Sequence, residues 1–189
     1  VFALNRGGDD DATEATPTPT PTETTTTAPT PSPQPADPLV VAPGRVGAAL
    51  VGMTNAQAAA TGLFDTNVDH GADDCRGVVP LEWKPSVSSA LDVYTNDNHI
   101  TTIGISSGPK TAKGIGVGSS LGALRSAYGD QLSPAVDAGF DQAGVYLAED
   151  DQWLGFLFDT KRDAITDNSK ITFMEVTRGE KPALIRDGC

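Results

Sequence analysis

The chain has 189 residues, 38% of them hydrophobic, and a formal net charge of −12 from 25 acidic and 13 basic side chains. That is length enough for one or two small cores, with too little apolar material to bury every segment. The acidity argues against a binder of phosphate backbones, which needs lysines and arginines gathered on one face, and here no basic run exceeds Lys161-Arg162.

The first 38 residues carry Asp9, Asp10, Asp11, Glu14, Glu23 and Asp37 against the single base Arg6. The opening Val-Phe-Ala-Leu-Asn-Arg, with no initiator methionine, suits the last turn of a removed membrane helix or signal anchor, although an arbitrary chain end would read the same. The tract TPTPTPTETTTTAPTPSPQPADP follows. Proline at alternate positions removes backbone donors and holds φ near polyproline II, and threonine offers little to bury, so residues 1–38 read as a disordered acidic stalk rather than a core. About 25 such residues at roughly 3.1 Å each would hold a domain 70 to 80 Å from its attachment. The same composition suits O-linked sugars, an inert spacer or a PxxP ligand.

The folded body is expected over residues 39–189, beginning at Leu39-Val40-Val41 with a turn at Pro43-Gly44. Two helix-opening segments stand 66 positions apart: Arg45 to Gly62 (RVGAALVGMTNAQAAATG) and Gly114 to Gly129 (GIGVGSSLGALRSAYG). In each, an apolar lead-in reaches a glycine and then a hydroxyl residue, Thr54 or Ser120, able to cap a helix; Gln57 after Thr54 fits a capping box. These predict helices over about Thr54 to Thr61 and Leu121 to Tyr128, the second stopped by Gly129. After the first, Val78, Val79, Leu81 and Trp83 precede a hairpin from Val87 to Ile105 with Asn96-Asp97-Asn98 at its apex. After the second, Gly144 to Leu147, Trp153 to Phe158 and Lys170 to Val176 read as strands. The expected architecture is therefore α+β: two tandem repeats, about 44–107 and 112–178, each a helix followed by antiparallel strands, with helices packed on one face of a curved sheet and a C-terminal tail to residue 189.

Cys75 and Cys189 are the only cysteines. A bond between them would close a loop of about 115 residues and contribute roughly 4 to 5 kcal/mol in the chain-entropy model, which suits an exported chain. Free thiols are the alternative; two isolated cysteines are inadequate for a metal site. The tract Asp69-His70-Gly71-Ala72-Asp73-Asp74-Cys75 gathers carboxylates and an imidazole, yet its spacing matches neither a calcium loop nor a zinc signature. His99 at the hairpin reads as a solvated strand residue. The glycines of Gly114-Ile115-Gly116-Val117-Gly118 miss the dinucleotide spacing, and nucleophile-elbow, HExxH and Walker patterns are missing. No catalytic residue, metal or cofactor is expected. Large aromatics should be core for the most part; Tyr94, Tyr146 and Trp153, with Asp97, Glu149, Asp150 and Asp151 around them, form the candidate protein-binding surface.

The GMTNAQ and GVGSSLGALRSAYG segments, with the hairpin from Val93 to Ile103, resemble the tandem helix-sheet units of the β-lactamase-inhibitor-protein fold, shared with small outer-membrane-assembly lipoproteins. The likeness covers about residues 44 to 178 and implies an exported, non-catalytic domain that binds proteins. One departure stands out: the secreted inhibitors carry a short disulfide within each repeat, whereas here one cysteine falls in each half. The expected function is an extracytoplasmic, secreted or surface-anchored, monomeric protein-binding domain with a protein partner and no nucleic acid. The alternatives are an inhibitor of a secreted enzyme such as a β-lactamase, or a hydrolase using Asp69, Asp73 or Asp74.

Overall fold

Strand-forming runs dominate the body, and the chain pairs them into ladders. In the computed structural model, which describes residues 39–71 and 76–185, the order is β1 (Val41–Ala42), β2 (Arg45–Val46), β3 (Ala49–Leu50), α1 (Asn55–Ala60), β4 (Phe64–Asp69), β5 (Val78–Trp83), β6 (Leu91–Asn96), β7 (His99–Ile105), α2 (Leu121–Tyr128), β8 (Val136–Gly139), β9 (Gln142–Glu149), β10 (Gln152–Phe158) and β11 (Ile171–Arg178). One antiparallel sheet takes six of them in the order β6-β7-β11-β10-β9-β8, while β1-β2-β3 and β4-β5 form two small ladders.

Period-two alternation sorts the large sheet into two faces. On the inner face the cross-strand rows run Leu147-Leu154-Val176-Ile103 and Val145-Phe156-Met174-Ile105. All eight are buried, and they share one core with Val41, Val46 and Ala49 of the first ladder, Phe64, Leu81 and Trp83 of the second, and Leu121 and Leu124 of α2. The outer face carries Tyr146, Leu157 and Phe173, which form a second cluster with Leu184.

The expected α+β architecture of two helix-plus-strand repeats, with helices layered on a curved sheet, is corrected here. Among the described residues strand accounts for 44% and helix for 14%, so the fold is mostly antiparallel β. The helices lack the means to make a layer: α1 has six residues and buries only Ala58, and α2 has eight and buries only Leu121 and Leu124. Nor do all the strands line up. Pro80 in β5 has no N–H to give a second neighbour, a residue type found at sheet edges and bulges, and the β4-β5 register skips Asn67 opposite it, Asn67 taking φ 53°.

Locally the two helix starts do share their anchoring. Gly52 and Gly118 donate to the carbonyls of Ile100 and Ile171, each at 2.8 Å, and those isoleucines donate back to Met53 and Ser119 at 2.8 and 2.9 Å. Asn55 and Leu121 donate to Asn98 and Ser169, both at 2.9 Å. Each helix start thus extends the flank of one central strand, β7 or β11, where its partner strand has run out. Thr54 caps with the full box to Gln57, and Ser120 accepts from the Ala123 amide at 3.1 Å. The stalk, Cys75 with Cys189, and Asp73 and Asp74 lie outside the described residues.

Candidate protein-docking face

The pairing of β7 with β11 ends at Thr102 opposite Thr177, and Gln152 at the start of β10 faces Arg178. The β6-β7 and β9-β10 turns therefore sit at the same end of the sheet. That end carries most of the residues singled out in sequence. Asp97 occupies the first turn with φ 47°, and Asp150 the second with φ 55°; both are exposed, as is Glu149. Asp151 holds Arg178 through a 2.8 Å bond from Nε.

Across the outer face, register places Tyr94, Thr102, Thr177, Trp153 and Ala148 in one row. Tyr94 is 37% exposed, Trp153 half-buried and Thr177 buried. The next row runs Asp92-Gly104-Glu175-Gly155-Tyr146. Three aromatics widely spaced in sequence, Tyr94, Tyr146 and Trp153, are thus brought to one face. Tyr146, however, is only 4% exposed, because the segment after β11 folds back over it.

That segment, Lys181 to Ile185, alternates exposed and buried residues, with Pro182 and Leu184 turned inward. Leu184 fills a slot that only glycines leave open: a Cβ on Gly144 or Gly155 would stand 2.8 Å from its methyls. Lys181 Nζ lies 4.7 Å over the Tyr146 ring. The Leu184 amide donates to the Glu175 carboxylate, and the amides of Ala183 and Ile185 lie close enough to favour its charged form. Leu184 takes φ 58°, the left-handed turn that aims successive N–H groups at one anion. Burial nevertheless pushes the Glu175 carboxyl above its ordinary value, against the pull of those amides. Desolvation raises Asp92 too, with Arg76 pulling the other way, and burial followed by the nearby Glu175 charge raises Tyr146.

Beside the strap lies a cleft of about 650 Å³, floored by Thr102, Glu175 and Thr177 and walled by Lys181 and Ala183. Its polar groups are largely spoken for: Thr177 Oγ1 donates to the Glu180 carbonyl at 2.5 Å, and His99 Nδ1 lies 2.8 Å from the Asp97 carbonyl. Asp69 is turned to local structure, accepting from the Gly71 amide at 2.8 Å. Among the described residues no group of three His, Cys, Asp or Glu side chains gathers as metal ligands, and no helix is long and apolar enough to cross a membrane.

The strap, residues 181 to 185, and the β8-β9 hairpin were not among the elements expected from the sequence. Pro182 and Leu184 spaced by two were the strap's signal. In the hairpin, Phe140 and Asp141 take φ 50° and 60°, and Phe140 is 92% exposed. Nothing about a phenylalanine announces a positive-φ turn.

No family model, curated protein or solved structure matches this chain. Nothing in those comparisons ties it to the inhibitor-protein fold that its sequence resembles.

Proposed function

We propose that the chain is a non-catalytic extracytoplasmic protein-binding domain that docks through the outer face of its six-stranded sheet, presented on the Thr/Pro-rich tract. The observation that carries this reading is the row Tyr94-Thr102-Thr177-Trp153, in which half-covered aromatics flank small hydroxyl residues at the acidic end of the sheet. Aromatic anchors beside a polar rim are the usual energetic centre of a protein interface. The pairing of Glu175, Thr177, Asp151 and Arg178 within the fold favours binding over catalysis at the adjoining cleft. With Asp97, Glu149, Asp150 and Asp151 at its end, the face suits a partner surface of basic character.

A photo-crosslinking residue at Tyr94 in the full chain, presented to envelope proteins, should capture the protein that the intact chain binds, and Tyr94→Asp should weaken that binding at least tenfold. Unchanged affinity in Tyr94→Asp overturns this docking face.

One observation favours the inhibitor reading. Phe140 stands at the tip of a hairpin tied by Lys161 to Asp141 at 3.2 Å, Gln142 to Asp159 at 2.6 Å and the Gly139 amide to Asp137 at 2.7 Å. A fully exposed aromatic on a braced tip can enter a partner's cleft. That reading predicts stoichiometric loss of activity when a secreted hydrolase such as a β-lactamase is mixed with the chain, abolished by Phe140→Ala and untouched by Tyr94→Asp.

A further inference from the structure

The strap is held in an unusual way. Past Gly179, whose amide donates to the Asp151 carbonyl at 2.7 Å, the Leu184 amide donates to a single buried side chain, Glu175, whose charged form the neighbouring amides of Ala183 and Ile185 also favour. Around that point the sheet surface is shaped to fit. Gly144 and Gly155 leave the slot for Leu184, Pro182 stands 3.0 Å from where a Gly155 Cβ would be, and the Tyr146 ring receives the Lys181 ammonium. Glycine inside a strand marks a place where another chain approaches closely, and here two lie diagonally across β9 and β10, Gly155 opposite Tyr146 and Gly144 opposite Leu157.

We propose that residues 181 to 185 are an internal ligand of a peptide-binding groove, and that the groove takes a partner segment with a basic residue, proline, any residue and leucine in that order, turned at the leucine as Leu184 is. The inference rests on the protein-binding reading and names the chemistry of the partner. Each position has its own receptor: the Tyr146 face for the cation, the Gly155 surface for proline, the Gly144-Gly155 slot for the leucine side chain, and the Glu175 carboxylate for the leucine N–H. The occupant is a segment of a different protein rather than the strap of a second copy, because two chains each at −12 repel on close approach, whereas a basic peptide is drawn in. In the resting protein the strap competes from within at an effective concentration on the order of millimolar, so a partner segment must outbid it or find it already loosened.

The test uses the full chain carrying Leu184→Ala, with the capped hexapeptide Glu-Lys-Pro-Ala-Leu-Ile as probe and Trp153 fluorescence as readout. The variant should bind the peptide saturably and at least tenfold more tightly than the unaltered chain does. Replacing the peptide's leucine by alanine should weaken binding at least tenfold, and adding Gly155→Val to the variant should abolish it. A folded Leu184→Ala chain with no saturable response, or one indifferent to the peptide's leucine, overturns the proposal. Should that variant fail to fold, Lys181→Ala with Pro182→Ser loosens the strap from its other end and is judged by the same outcomes. Tyr94→Asp in the Leu184→Ala background separates the two readings. Peptide binding kept in that double variant while protein docking is lost supports both, and peptide binding absent from Leu184→Ala while docking still requires Tyr94 sinks the groove alone.

Discussion

Glu175 is a carboxylate on the outer face of a β-sheet, 6% exposed, in a position where the pleat would ordinarily place an apolar or a wet side chain. The Leu184 N–H and the neighbouring amides of Ala183 and Ile185 favour its charged form, yet desolvation prevails and its carboxyl lies above the ordinary 4.5, as that of Asp92 lies above 3.8. The folded protein therefore keeps these protons at pH values where the unfolded chain has released them. Its stability falls as pH rises from the ordinary carboxylate range through the raised values. Urea unfolding at about pH 4 and pH 7 should show this decline, and Glu175→Gln should flatten it; equal slopes in the two chains would remove Glu175 as its source. Gly155 makes a second test at this scale. Alanine there would press a Cβ against Leu184 at 2.8 Å and the rigid ring of Pro182 at 3.0 Å, an overpacking worth roughly 1 to 3 kcal/mol. Hydrogen exchange at the Leu184 amide should accelerate in that variant, and unchanged protection would show that the strap can shift aside without loss.

At the level of elements, the caps were the most readable part of the chain. Thr54 with Gln57 and Ser120 before Leu121 carry local signals, because a cap needs only a hydroxyl and the amides of the next turn. Thr54→Ala and Ser120→Ala should each cost about 1 kcal/mol in chemical denaturation, Thr54 the more because its box to Gln57 is lost as well. The hairpin at Asp97-Asn98 was legible for the same reason, since Asn and Asp accept the positive φ they show here. What the residues did not disclose was long-range. Nothing between Phe64 and Asp69 (FDTNVD) alternates cleanly, and β4 forms only because β5 pairs with it. The α+β expectation gave each short helix the weight of a layer, but Asn-Ala-Gln-Ala-Ala-Ala has almost no side-chain mass with which to cover a sheet. The candidate surface was legible only in pieces: Tyr94 with Asp97, and Trp153 with Glu149, Asp150 and Asp151, are neighbours in sequence, but their meeting at one end depends on the order of the strands, and the burial of Tyr146 on a strap that lies 35 or more positions further along the chain.

The molecule as a whole places its two tryptophans on opposite sides of the large sheet. Trp83 packs on Phe64 with ring centroids 4.4 Å apart in the inner core, and Trp153 belongs to the outer cluster. If inner and outer clusters melt as one unit, single-tryptophan chains carrying Trp83→Phe or Trp153→Phe should each show one denaturation transition, with midpoints that shift together when Phe156→Ala is added. Phe156 is fully buried in the central row, and its truncation should cost roughly 3 to 5 kcal/mol. Two separate midpoints would mean that the outer cluster is a satellite rather than part of the cooperative body. The strap also orders events during synthesis. It follows β11 in the chain, so a ribosome delivers Tyr146, Leu157 and Phe173 before it delivers Pro182 and Leu184, and for that interval the nascent sheet shows an uncovered aromatic face to whatever surrounds it. A chaperone that reads exposed aromatics would have its window there, and it would close when Leu184 reaches its slot.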